Sequence, residues 1–206
     1  MATPPERAKV AGIILAAGQS TRLGRPKQLL DICGKTVIRR ITESAVISPL
    51  DVTIVVVGNA ASEVQRNLAG LDVATVVNLE FSSGQSTSMR AGLRALPNDI
   101  DAALFLLGDQ PAVTPSIIGA VVGAYVESGA AIVQTRYRGA TGHPVLFDRS
   151  LLTELDAVEG DRGARRVLSR HPDLIQFADL DQDAPLDIDT EADYERVLRQ
   201  VMDQAK

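Results

Sequence analysis

Uninterrupted apolar runs alternate along the chain with stretches whose apolar positions recur every three to four residues. Val10–Ala16, Thr53–Val57, Val73–Val77 and Ala102–Leu107 read as strands, buried on both faces where the run is apolar throughout. Between them, Thr36–Ile47 (apolar at Val37, Ile38, Ile41 and Ala45), Ala61–Leu68 and Ser86–Leu96 have helical spacing. Thr114–Val126 is a further helix, with Thr114 placed to cap it and Pro115 in its first turn. The second half predicts strands at Ala131–Arg136 and Pro144–Phe147 and a weaker one at Leu174–Ala178. Helices are expected over Leu151–Val158, Arg162–Arg170 and Glu191–Met202. Strands separated by helices make a parallel sheet covered on both faces, a three-layer α/β/α sandwich with right-handed crossovers. No repeat or linker divides the chain, so one domain over 9–206 is expected behind a disordered tail over 1–8.

Composition narrows the class. The chain has 206 residues, 45% hydrophobic and 23% charged, the profile of a soluble globular protein with a sizeable core. No apolar run approaches the ~18 residues of a membrane span, and the N-terminus lacks the apolar segment of a signal peptide. A lone cysteine, Cys33, forms no internal disulfide, which points to the cytoplasm. The net charge of −5 argues against a nucleic-acid partner, which needs a basic footprint. A site for a polyanion must therefore be a local concentration of positive groups.

Ligands of such sheets collect outside the carboxyl ends of the strands, so the segments that follow strands carry the functional reading. After the first comes LAAGQSTRLGRPKQLL, which places Arg22, Arg25 and Lys27 within six positions. There Gly18 is free to adopt positive φ, Ala16 and Ala17 let amides approach a ligand, and Arg22 and Lys27 add charge, the makings of an anion nest. It is neither a Walker A loop nor G-x-G-x-x-G, since Gly18 and Gly24 stand six apart. Gly108-Asp109-Gln110-Pro111 stands directly behind ALFLL, where Asp109 is placed to bind a cation that holds phosphates. Asp189, in DIDT, is either a second metal ligand or the cap of the last helix, and Asp187 stands beside it. The hydroxyl-rich run SSGQSTS caps a helix or reaches a base or sugar. Gly142-His143-Pro144 adds an imidazole ahead of a strand, and Gly160-Asp161-Arg162-Gly163-Ala164-Arg165 a second basic turn.

Together LAAGQSTRLGRPKQLL, SSGQSTSMRAG, GDQP, GHPVLF, GDRGAR and DIDTEADY resemble, in order, the MobA-like nucleotidyltransferase superfamily and its molybdenum cofactor cytidylyltransferase branch. The resemblance covers roughly residues 10 to 200. It implies a Rossmann-like sheet of the nucleotide-diphospho-sugar transferase type with one strand reversed. It also implies the reaction of CTP with molybdopterin to give molybdopterin cytosine dinucleotide and pyrophosphate. On that reading Leu15, Ala16, Ala17 and Gly18 cradle the triphosphate with Arg22 and Lys27. Gly84, Ser86 and Ser88 read the base, beside Gly108, and Asp109 and Asp189 hold Mg2+. His143, Arg162 and Arg165 fall to the acceptor. Gln110 and GQSTS favour cytosine over guanine. The partner implied for the product is a molybdenum hydroxylase apo-enzyme. The alternatives are transfer of guanylyl or another nucleotide to a different phosphorylated acceptor, and a non-catalytic carrier of the cofactor, which would not need two metal carboxylates.

Overall fold

The computed structural model describes residues 7–160 and 163–204. The expected disordered tail lies, as far as residue 6, outside the described residues, and so does Arg162. The apolar runs become β1 (Val10–Ala16), β4 (Val52–Val57), β5 (Ala74–Val77), β6 (Ala102–Leu107), β7 (Ile132–Tyr137), β8 (Ala140–Asp148) and β9 (Ile175–Asp179), joined in one sheet in the order β5-β4-β1-β6-β8-β7-β9. β8 runs antiparallel to both of its neighbours, and every other pairing is parallel, so one strand is reversed. Two short strands, β2 (Asp31–Ile32) and β3 (Lys35–Thr36), form a separate ribbon.

Each face of the sheet has its own helices. Ile14, Val55, Leu104 and Leu146 pack with α1 (Val37–Val46), α2 (Ala61–Asn67) and α4 (Pro115–Ser128). Ile13, Val56, Phe105 and Phe147 pack with α3 (Gln85–Arg94), α5 (Leu152–Asp156) and α6 (Arg165–Arg170). Phe105 and Phe147 are fully buried edge to face, their ring centroids 6.0 Å apart, and each contributes roughly 1.5–3 kcal/mol by burial. The last helix, α7 (Glu191–Gln204), leaves both layers and packs Val197 and Val201 on Ile32 and Val37 beside the ribbon. That contact brings the chain ahead of α7 to the rim where β1 and β6 end.

Thr114 caps α4, its Oγ1 accepting from the Ile117 N–H at 3.4 Å. Three expectations are corrected. Thr36 is the cap of α1 and not part of it, its hydroxyl oxygen accepting from the Arg39 N–H. β8 begins at Ala140, not Pro144, because the ladder with β7 resumes beyond an irregularity at Gln134/Thr135, as Thr135↔Gly142 to Tyr137↔Ala140. His143 therefore lies within a strand, not ahead of one.

Candidate active site

Three segments distant in sequence meet where β1 and β6 end. The turn behind β6 approaches β1 as closely as a residue without a side chain allows. A Cβ on Gly108 would stand 2.8 Å from that of Ala16 and 3.0 Å from the Leu15 carbonyl oxygen, which accepts from the Gly108 N–H at 2.9 Å. This contact sets Asp109 beside the loop after β1. Lys27 reaches across, its Nζ donating to Asp109 Oδ2 at 2.5 Å and to Asp189 Oδ1 at 3.0 Å. Lys27 and Asp109 are only 13% and 17% exposed, so this pair is screened far less than a surface ion pair. Burial by itself lowers the pKa of Lys27, but the charges and hydrogen bonds of Asp109 and Asp189 outweigh it and hold the ammonium above its ordinary range.

The same loop is tied to the chain ahead of α7 by its other bases. Arg22 Nη2 donates to Asp189 Oδ2 at 2.9 Å, and Arg25 Nη2 to the Glu191 carboxylate at 2.8 and 2.9 Å. Asp189 does not cap α7. That position belongs to Thr190, whose Oγ1 accepts from the Asp193 N–H while Asp193 accepts from the Thr190 N–H and hydroxyl. With the cap supplied next door, Asp189 is left facing the bases. Nor does Gly18 take the left-handed conformation; positive φ in this loop falls on Ser20 and Gly24. What Gly18 contributes is room, since only the amide of Gln28 stands within 4.0 Å of where its Cβ would be.

Two clefts that share a wall open beside these segments. The smaller, about 290 Å³, is lined by Leu15, Ala17, Gly18, Lys27, Gly84, Ser88, Gly108 and Asp109 among others. The larger, about 680 Å³, takes in Gln110, His143, Arg165 and Asp187. Leu15, Gln85 and Leu107 wall both, while Asp109 lines the smaller alone and Asp187 the larger alone. Four candidate residues, Asp189 among them, stand back from the smaller cleft. Ala16 is buried behind it, and Arg22 lies at its rim on Asp189. Ser86 is buried, its N–H donating to the Gly160 carbonyl. Ser88 is better placed: its Oγ accepts from Asn78 Nδ2 at 3.0 Å, and its own proton is left for a ligand.

In the larger cleft Arg165 opens α6 and is exposed. His143 is held below its usual pKa by burial, with its Nδ1 3.4 Å from the Phe105 carbonyl oxygen. Asp187, which takes no bond from Lys27, instead accepts from Gln110 Nε2 at 2.7 Å; burial, with the charge of Asp109, raises its pKa. Sequence reasoning missed Gln28. It is buried in the wall of the smaller cleft with Nε2 on the Gly18 carbonyl and Oε1 without a partner, and its only signal was its place behind Lys27.

Among the described residues no group of three or more His, Cys, Asp or Glu is arranged to hold a metal. Two carboxylates close enough to share one ammonium fit the mode of Mg2+, which takes one or two carboxylates and completes its shell with water and substrate oxygens.

A family model, the MobA-like NTP transferase domain, matches residues 12–174. The chain belongs to this nucleotidyltransferase family. It is 30% identical to the nicotine blue oxidoreductase of Paenarthrobacter nicotinovorans, over 92% of this chain and 96% of that one. Among solved structures it is similar to a homologue of Rv0371c from Mycobacterium sp. strain JC1, at 34% identity and a TM-score of 0.85 over 96% and 99% of the two chains. The manganese complex of Rv0371c from Mycobacterium tuberculosis H37Rv is 32% identical with a TM-score of 0.81, over 93% and 99%. A divalent cation thus occurs in a protein similar to this member of the MobA-like family. No helix among the described residues of this member is long and apolar enough to cross a membrane.

Proposed function

We propose that the chain transfers CMP from CTP to the terminal phosphate of molybdopterin, releasing pyrophosphate. The observation that carries this reading is the pair Asp109 and Asp189, gathered around the one ammonium of Lys27, with Lys27 and Asp109 in the smaller of two clefts that share a wall. A two-substrate transfer needs one cleft for the donor, one for the acceptor, and charge control beside the donor's phosphates. The nucleotide occupies the smaller cleft, its phosphates against Leu15–Gly18, Gly108, Arg22 and Lys27 and its base towards Gly84 and Ser88, with Ser86 behind. The acceptor occupies the larger, its phosphate near Arg165 and His143. Asp109 and Asp189 hold Mg2+, which when bound neutralises the triphosphate.

An acceptor phosphate oxygen forms its bond to the α-phosphorus as the bond from that phosphorus to the bridging oxygen breaks, and the electron pair leaves on pyrophosphate. A phosphate monoester has its second pKa at about 6 and is largely ionised at neutral pH, so no side chain need take a proton. An imidazole at His143 held below its usual pKa is consistent with this. What the chain supplies is alignment and relief of anion repulsion, with Lys27 and the amides of the first loop directed at the charge. The product goes to a molybdenum hydroxylase apo-enzyme, and the work is cytoplasmic.

A second reading, an oxidoreductase, draws on the name of the Paenarthrobacter relative. Against it stand the spacing of the first loop, which lacks G-x-G-x-x-G, and the two carboxylates held on Lys27. Pyrophosphate released from CTP, Mg2+ and molybdopterin supports transfer; reduction of nicotine blue by a nicotinamide cofactor without pyrophosphate release replaces it.

Two expectations follow for specificity. CTP exceeds GTP in kcat/KM, and Ser88→Ala erodes the preference several-fold, the worth of one neutral hydrogen bond of about 1 kcal/mol. Ser86→Ala erodes it less, since that residue stands back from the cleft. Equal use of both nucleotides by the unaltered protein defeats the assignment. Arg165→Ala raises the KM for molybdopterin on the order of tenfold or more, the scale of a hydrogen bond to a charged group, and leaves CTP binding nearly unchanged. A selective loss of CTP affinity would move this basic turn to the nucleotide side.

A further inference from the structure

The larger cleft holds a pair of side chains, Gln110 and Asp187, that lie outside the nucleotide's cleft, although the resemblance links Gln110 to the choice of cytosine. Gln110 lines it, only 6% exposed, with Nε2 donating to Asp187 Oδ1 and Oε1 without a partner. A buried amide oxygen left unpaired costs about 1–3 kcal/mol, and native structures keep few such atoms. Turning the amide over does not relieve it, because that would set its oxygen against the Asp187 carboxylate. The orientation is thus fixed by Asp187. Asp187 lines the same cleft, and its Oδ2 takes none of the hydrogen bonds described. Two neighbouring side chains therefore each offer an acceptor, Gln110 Oε1 and Asp187 Oδ2, that no described donor occupies. Met89, Phe105, Leu107 and Val145 supply apolar wall in the same cleft, suited to a flat ring.

We propose that Gln110 and Asp187 together read two adjacent N–H donors on the edge of a planar heterocycle, the ring N–H and exocyclic amine of a 2-amino-4-oxopyrimidine. Pterins and guanine both carry this edge. The inference rests on the larger cleft being the acceptor site, and it makes these two residues the ones that select the acceptor's ring. It also separates the two aspartates ahead of α7: Asp189 faces the phosphates and Asp187 the ring.

The test is a binding titration of the intact protein in the presence of CTP and Mg2+ with three probes. These are 6-hydroxymethylpterin, the corresponding lumazine, in which the exocyclic amine is replaced by oxygen, and guanosine. The unaltered protein is expected to prefer the pterin to the lumazine by at least about tenfold, as loss of a hydrogen bond to a buried group implies. Asp187→Asn, which keeps the shape but turns an acceptor into a donor, and Gln110→Leu are expected to bring that ratio to within about twofold. CTP affinity and the melting temperature, measured on the same samples, report whether the variants are folded. If the unaltered protein discriminates and both folded variants still do, the pairing is overturned while the acceptor reading stands. Tighter binding of guanosine than of pterin, lost in both variants, keeps the donor edge and removes molybdopterin as its source. Binding of none of the three, with CTP still turned over on another acceptor, overturns both.

Discussion

Replacing Asp109 by asparagine lowers the rate of nucleotidyl transfer at least about a hundredfold while leaving the fold in place. The size follows from removing a principal electrostatic group in a site that works by charge control, where single deletions cost on the order of 10²–10³ in rate. Asparagine is isosteric, and the close approach of Gly108 to Ala16 and Leu15 is untouched, so the turn keeps its course. Lys27 keeps Asp189 at 3.0 Å, so no ammonium is stranded without a counter-charge. Steady-state rates at saturating CTP and Mg2+, with a thermal melt of the same sample, decide the matter. Activity within a few-fold of the unaltered protein would end the assignment of Asp109 to the metal.

Lys27→Met is expected to act in two opposite directions. Lys27 Nζ stands between the two carboxylates that the proposed cation would use. In the absence of nucleotide the ammonium and the cation compete for that position. Removing the lysine therefore strengthens binding of Mn2+ to the nucleotide-free protein, by roughly tenfold if about 1.4 kcal/mol of competition is relieved. The same change removes the charge directed at the phosphates, so turnover falls by about two orders of magnitude. A calorimetric Mn2+ titration measures the first effect and the pyrophosphate assay the second. Unchanged or weaker Mn2+ binding in the variant would mean that Lys27 does not hold the cation's place.

The alternation of apolar runs and helical spacings made the layers legible, since strands buried on both faces must be apolar throughout and their covering helices must be amphipathic. The reversal of β8 was not legible that way. A strand reads the same in either direction, and only the resemblance of the motifs carried it. The ribbon β2–β3 was missed because two-residue strands leave no period to detect. For the site, the loops behind β1 and β6 were found because each begins where an apolar run stops. The cap of α7 was harder. Asp189 and Thr190 are both good capping residues, and which of them caps depends on Asp193 closing a reciprocal pair with Thr190. The partnership of Arg25 with Glu191 spans 166 positions, and that of Gln110 with Asp187 spans 77. Both depend on α7 packing against the ribbon, a contact that no local pattern encodes.

The backward course of β8 decides which parts of the molecule are free to vary. In a parallel sheet every segment reaching this rim is bound to a crossover, so changing it disturbs a helix that must repack. The β7–β8 hairpin instead turns at the rim on two residues, Arg138 and Gly139, and places Thr141, Gly142 and His143 in the larger cleft as β8 begins. Residues can be exchanged or added there without moving any helix; what must be kept is the tether of Arg138 to Asp181 and Gln182. The fold thus separates a rigid half, where β1 and β6 are locked through Gly108, from a half whose contour is set by one short hairpin. A lineage of such proteins can diversify what it modifies by recutting that hairpin while its means of handling a triphosphate stays the same.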